Sequence, residues 1–378
     1  MIQDSFPSNA FRKAALPLLT LAVFWSGCGP RMWTTDEQGI QYAQMKGSWR
    51  ALAVTGNNEA WLAGSTGEWL HMHSQGSHPA VAHYQDAIFI SPDSNLVPHY
   101  RGIALTPHAV LGSVIASPGF IRRAEFDDAG KLNLPRTSAW MEEDSAVFMD
   151  AILAVNDSTL VAMGDPLNGC LCVIRSEDEG RSWAKVPCAF KGLPGVPLAK
   201  EGEAAFAASN GNLASAGDTL WMLSGGGASR VYRSLDRGQS WIAFDTPLQQ
   251  GGAMTGGFSM AFADAHRGII WGGNWEDKTG QNSRGAVTTN GGETWTLVSE
   301  GQGPGYASSV QYRPGSQGQQ CVLVGKPGGI DLSHDGGQSW RHFSDSAFYT
   351  ARFSPDGSWL WLAGPNNIGR IQSNLLGW

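Results

Sequence analysis

The chain is short of charge. Asp, Glu, Lys and Arg make up only 16% of its 378 residues. That is too little for long solvated helices, a coiled coil or a disordered chain. The two signs nearly balance: 26 basic against 33 acidic side chains give a net charge of −7, and no basic stripe stands out. A nucleic-acid partner is therefore not expected. No apolar run reaches the roughly 20 residues that span a bilayer as a helix. No Cys-x-x-Cys occurs among the five cysteines, so neither a zinc ribbon nor a thioredoxin-like site is supported. Tyrosine is scarce at 7, while tryptophan reaches 16. Glycine is plentiful: 49/378, or 13%, against about 7% in average proteins. Few charges with abundant Gly and Trp describe turn-rich β architecture.

The N-terminal residues read as a targeting segment. Arg12 and Lys13 precede Ala14–Trp25, a run of 12 mostly apolar residues, and Ser26-Gly27-Cys28 follows. Such a run suits a secretory signal. The Ser-Gly-Cys end resembles a bacterial lipobox, in which Cys28 is lipidated and becomes the new N-terminus, although Trp25 stands where that pattern prefers Leu. Residues 1–27 are expected to be a lipoprotein signal peptide, and 28–44 a tether that can supply a ring-closing strand. Residues 45–378 are expected to form one domain. The expected location is the bacterial cell envelope, lipid-anchored and facing the periplasm or exterior, where a disulfide can persist.

Repeats are the strongest signal. Four segments share the pattern S/T-x-D/N-x-G-x-x-W: Ser176–Trp183, Ser234–Trp241, Thr288–Trp295 and Ser333–Trp340, at intervals of 58, 54 and 45. Two decayed copies precede them. Phe126–Gly130 keeps Asp128 and Gly130, and Met72–Gly76 keeps only the glycine. A period near 50 residues with several strands per unit means a propeller. The carboxylate or amide of Asp178, Asp236, Asn290 and Asp335 can accept backbone N–H bonds within a turn. The glycine supplies φ > 0. The indoles of Trp183, Trp241, Trp295 and Trp340 bury a large apolar face. These residues are therefore expected to be structural.

Seven segments read as innermost strands: 48–54, 99–105, 148–154, 202–206, 257–262, 305–310 and 348–353. The expected fold is all-β, a seven-bladed β-propeller. The four boxes resemble the Asp-box, or BNR, repeats of sialidase-like propellers. Longer stretches are similar to bacterial exported propellers related to the photosystem II assembly and stability factor family. They are Gly164-Asp165-Pro166, Gly202–Ser209, Val231–Gly238 and Gly268–Gly273. Over roughly residues 45–372 the resemblance implies seven blades and no settled activity. By analogy with the assembly factors it implies a protein partner at the envelope, with a glycan as the other candidate.

The innermost strands carry Arg50, Arg101, Asp150 and Glu203 on four successive units. At a shared depth they could bind a polar ligand or peptide in the axial channel, or neutralise one another as ion pairs. The function expected is non-catalytic binding by a monomer, with no catalytic residue and no cofactor. The alternative is a sialidase-like glycoside hydrolase. That family needs three arginines, a Tyr–Glu pair and an Asp acid. Its Phe/Tyr-Arg-Ile-Pro motif is missing, and Phe120-Ile-Arg122-Arg123 is out of pattern. A third inner-strand arginine is not read, and Tyr306-Ala307-Ser308 stands where relatives often carry Arg. His71, His73, His78 and His83 have spacing that can bind a transition metal. They lack a Cys or fixed carboxylate, so a solvated hairpin tip is expected. Ser224–Gly227 has glycines but no helix after it, which argues against a dinucleotide site. Cys170 and Cys188 flank the first box symmetrically if Trp183 lies opposite Arg175, and are expected to form a disulfide. Cys172 is expected to be free, and Cys321 is left unassigned.

Overall fold

Successive strands fold back on one another as antiparallel meanders. Met149–Ala154, Leu160–Leu167, Cys170–Ser176 and Ala184–Lys185 pair in that order. The same order recurs in Leu213–Ala216, Thr219–Leu223, Arg230–Ser234 and Ile242–Asp245. It recurs again from Ser309–Tyr312 to Arg341–Ser344. The second strand of each meander is apolar on both faces, as in Leu220–Leu223 and Val322–Val324, because neighbouring sheets cover it on both sides. Apolar clusters accordingly lie between sheets. One joins Val161 and Met163 to Leu220, Met222 and Trp241. Another joins Trp361 and Ile368, near the end of the chain, to Trp49 and Leu62 near its beginning.

This computed structural model describes residues 33–378 except 74–78, 87, 92–93, 135–136, 189–194 and 299. Trp33–Trp378 forms one compact unit. It contains no α-helix among the described residues, only a 3-10 turn at Ser373–Leu376. No helix there is long and apolar enough to cross a membrane. The expected signal peptide, Cys28 and His78 lie outside the described residues.

The long strand Gln41–Gly56 serves two sheets. Its first half pairs with Pro365–Gln372, Tyr42 opposite Gly369, and its second half pairs with Glu59–Gly64, Leu52 opposite Leu62. The N-terminal strand thus covers the edge that the last strand would otherwise expose.

The four repeat turns share one hydrogen-bond network. In the first, the Ser176 hydroxyl donates to Asp178 at 2.8 Å and accepts the Gly180 N–H at 2.8 Å. Asp178 accepts from the Ser182 N–H, and the Trp183 indole donates to the Gly180 carbonyl at 3.1 Å. Gly180 needs its missing side chain twice. Its φ is +78°, and a Cβ would stand 2.2 Å from Leu111 on the preceding sheet. The other three turns repeat the Ser/Thr–Gly and Trp–Gly bonds. The upstream copy differs: Asp127, not Asp128, accepts the turn amides of Ala129 and Lys131.

Two inner-strand expectations fail. Ser309–Tyr312 forms later than 305–310. Of the strand 202–206 expected to open the fourth meander, only Glu203–Ala204 is extended, and it pairs with Gly225–Gly226 in the neighbouring sheet. The innermost strand of the fourth meander is Leu213–Ala216. Residues 205–212, Ala-Phe-Ala-Ala-Ser-Asn-Gly-Asn, carry no β-branched side chain and have little strand propensity.

The structure joins Cys170 to Cys188, with Cα atoms 5.8 Å apart. The register behind the expectation is off by one, since Arg175 faces Ala184 rather than Trp183. The pairing strand stops at Lys185, so the chain beyond it is free to bring Cys188 across. Cys172 and Cys321 are free and buried.

Candidate functional site

Residues 205–212 cross the space between the innermost strands, and three arginines grip their carbonyls. Arg101 Nη1 donates to Ala207 O at 2.8 Å, and Arg50 Nη1 donates to Ala208 O at 2.7 Å. Arg352 Nη2 donates to Ser209 O at 3.0 Å and Asn210 O at 2.8 Å. The Asn210 side chain accepts the Ile152 N–H and donates to Ile103 O, while Gly211 O accepts the Met260 N–H. One short segment is thereby bonded to the innermost strands of five other meanders. Its small side chains are a steric requirement: a Cβ on Gly211 would stand 2.5 Å from Ser259 Oγ. The crossing divides the channel, because Arg50 and Arg101 lie N-terminal on their strands to the residues that line the cavity on its other side.

On the first side, Arg50 stacks over the Tyr349 ring at 3.6 Å, and Arg101 Nε donates to His99 Nε2 at 3.0 Å. Both guanidinium groups are half-buried. Burial lowers the Arg50 pKa, and burial followed by the Arg50 charge lowers Arg101 to about 10. Burial and the two arginines push His99 down to about 4, so it is neutral at neutral pH and can accept from Arg101. Burial pushes Tyr306 up to about 12. Its ring meets Phe258 edge-on at 4.8 Å, and Phe258 stacks on Phe206 at 4.0 Å. No acidic side chain forms an ion pair with Arg50 or Arg101 among the described residues. Two adjacent cations, framed by aromatic rings and lacking a counter-charge, can hold a carboxylate or other anion in a partly dry setting.

Asp150 lies beneath this pair but does not neutralise it. It is fully buried, and neither carboxylate oxygen makes a normally formed hydrogen bond. Burial, then the charge of Asp165, holds its carboxyl well above the usual range, while Arg101 and the Ala207 amide pull it back. Asp165 accepts the Ala205 N–H at 2.8 Å, and burial raises it too. A carboxyl raised on folding weakens the folded state as pH climbs through its folded value. Asp150→Asn is therefore expected to raise the melting temperature at pH 8 and to narrow its difference from pH 5. Thermal melts at both pH values check this, and a lower melting temperature at both would sink it.

Glu203, expected in the same set, points elsewhere. Its side chain is wholly buried against Arg230 at 2.6 Å, the Tyr232 hydroxyl at 2.9 Å and the Ser224 hydroxyl at 2.5 Å. It neutralises Arg230 on the neighbouring sheet and not the channel arginines. The third inner-strand arginine thought to be missing is Arg352. It shares the channel face of Thr350, two residues before it, and strand period two could have revealed it. His99 and Tyr349 were not singled out, and Tyr306 was noted only for standing where relatives often carry Arg, because which of these side chains meet Arg50 and Arg101 is determined by the fold.

The other sequence candidates have structural roles. His71 stacks on Trp61 at 4.0 Å and bonds Glu59 at 2.7 Å. His83 faces Leu70, off that face, and no group of three metal-ligating side chains occurs among the described residues. Gly225 and Gly226 allow backbones to touch: a Cβ on Gly226 would meet Gly202 O at 2.5 Å.

This arrangement, antiparallel meanders around a channel, is that of a β-propeller. No family model matches the chain, and no curated protein matches it. It is similar to the solved structure "YCF48 bound to D1 peptide" at 15% identity and a TM-score of 0.58, covering 88% of this chain and 97% of that one. "Structure of U3-55K" aligns at 11% identity and a TM-score of 0.60, covering 90% of this chain and 100% of the other. The Neurospora crassa Pan2 WD40 domain aligns at 11% and 0.53, covering 86% and 88%. These likenesses establish the β-propeller fold.

Proposed function

We propose that this protein is a seven-bladed propeller that binds a protein partner without catalysis, through an anionic group of that partner held by Arg50 and Arg101. The observation that carries this reading is the pair itself: two half-buried guanidinium groups side by side, with no acid paired to either. A fold neighbour with a bound peptide supports a peptide-like occupant. Seven inner strands contribute to the lining of the cavity across the channel, which supports seven blades. The shared turn network supports reading the four repeats as Asp-box hairpins. We place the protein at the cell envelope as a monomer, with Cys28 lipidated. The Cys170–Cys188 bond fits an oxidising compartment.

The glycoside hydrolase reading has less support. Arg352 lines the cavity on the other side of the 205–212 crossing, the plug of the channel, from Arg50 and Arg101. The Tyr232–Glu203 pair is buried, and burial drives the Tyr232 pKa upward, against a nucleophile's need. The two cations also favour an anionic protein group over a neutral glycan.

Full-length protein and an Arg50→Gln/Arg101→Gln double variant would be used to capture partners from envelope extract. The expected result is a protein retained by the wild type at low salt, released by high salt, and absent from the variant. Equal retention by both proteins would refute the site. In cells, Cys28→Ala should shift the chain out of the membrane fraction, and continued membrane association would refute the anchor.

A further inference from the structure

On the face that carries Arg50 and Arg101, residues 275–284 hold a further cation without a counter-charge. This loop joins Gly268–Asn274 to Gly285–Thr288. Asn274 pairs with Thr255, the first residue of the innermost strand Thr255–Phe262, so the loop stands at the same strand end as Arg50 and Arg101. It is pinned at three points. The Trp275 N–H donates to Met254 O at 3.0 Å, the Tyr306 N–H donates to Lys278 O at 3.0 Å, and Arg284 Nη2 donates to Asp277 O at 2.9 Å. Arg284 is 3% exposed, and a Cβ on Gly273 would collide with its guanidinium. Trp275 is nevertheless 44% exposed. The Lys278 ammonium lies over its ring at 4.2 Å, and no carboxylate pairs with Lys278 among the described residues. A fixed, exposed indole loses little freedom on binding and offers a large apolar face, the property of an interface hot spot.

Tyr306–Ser308 links this loop to the arginines. The Tyr306 N–H holds Lys278, and the Ser308 hydroxyl donates to Tyr349 O at 2.7 Å, in the residue whose ring Arg50 covers. That short stretch puts the Lys278 and Tyr349 carbonyls within about 15 Å of each other, the span of about four residues of extended peptide. We propose that Trp275 and Lys278 form a second subsite of the partner face, which takes a glutamate of the partner about four residues from the acidic group held by Arg50 and Arg101. The glutamate carboxylate meets the Lys278 ammonium, and its methylenes lie against the Trp275 ring. A basic segment would meet like charge at all three cations, and a neutral glycan would gain nothing from them. This subsite rests on the reading of Arg50 and Arg101 as the site of the partner's anion.

Fluorescence anisotropy of labelled, end-blocked peptides with the full-length protein at low salt tests the proposal. One peptide carries a single glutamate in a glycine–serine chain, a second carries two glutamates separated by three residues, and a third has glutamine at both places. The second should bind about tenfold more tightly than the first, and the third not at all. Lys278→Gln and Trp275→Ala should each remove most of that gain, leave the single-glutamate peptide unaffected and melt as the wild type does. Lys278→Arg should keep the gain, because the charge remains. Arg50→Gln/Arg101→Gln should weaken both glutamate peptides. Equal affinity of the wild type for the one- and two-glutamate peptides would overturn the subsite, as would full two-glutamate affinity in Lys278→Gln or Trp275→Ala. Undiminished binding by Arg50→Gln/Arg101→Gln would instead overturn the arginine site, so the two failures are distinct. No saturable binding of the two-glutamate peptide would overturn both.

Discussion

Arg122→Ala should destabilise the protein by about 3–5 kcal/mol, the usual cost of removing one member of a buried ion pair. Arg122 Nε and Nη2 donate to the two oxygens of Asp86 at 2.9 and 2.8 Å, and the side chains are 1% and 3% exposed. The Tyr100 hydroxyl donates to the same carboxylate at 2.5 Å, and its ring packs edge-on to Trp69 at 4.6 Å. Alanine would leave a buried charge with only Tyr100 to satisfy it. The cost therefore comes from the stranded carboxylate more than from the lost attraction. Asp86→Asn/Arg122→Met should recover much of the loss, because it removes both charges. Urea unfolding of the single and double variants tests this. A double variant no more stable than Arg122→Ala would show that the arginine matters for packing alone. In the sequence Phe120-Ile-Arg122-Arg123 is the stretch nearest to the sialidase arginine motif and is out of pattern. The structure places Arg122 between sheets, far from any ligand role.

Trp241→Ala should cost a similar amount, about 3–5 kcal/mol, by cavity formation. Trp241 is 2% exposed and is the most buried of the four repeat tryptophans. It packs with Val161 and Met163 on one side and Leu220, Met222 and Tyr232 on the other, so it seals a joint between two sheets. Its indole N–H also caps the Gly238 carbonyl at 3.1 Å. Trp295→Ala should cost less, because that ring is only partly buried. Both losses should appear in melting temperature and leave capture of the envelope partner intact when measured below the melt. Loss of capture by folded Trp241→Ala would move the partner site to the repeat turns.

How far the sequence could be read depends on the range of the interactions involved. The β class, the repeat period and the turns with their Ser/Thr, Asp and Gly roles were legible, because each turn closes over eight consecutive residues. Their hydrogen bonds are local and the pattern encodes them directly. The expected burial of the repeat tryptophans is complete only at Trp241, while Trp183, Trp295 and Trp340 are partly buried. Arg50 and Arg101 were also legible as channel residues, since strand alternation and repeat spacing determine which side chains face inward. Glu203 was misplaced because the segment after it resembles a strand by position and not by propensity. Its carboxylate goes to Arg230, 27 residues away. The plug at 205–212, the tyrosines beside Arg50 and the buried charge of Arg352 were decided only by tertiary structure. Each depends on contacts between segments far apart in sequence, such as Ser308 with Tyr349, Arg50 with Ala208 and Arg50 with Tyr349. The sequence by itself determined the local currency of this protein, its turns, strands and apolar faces. The fold alone decided which charges were left without partners, because an unpaired charge is a property of everything that surrounds it.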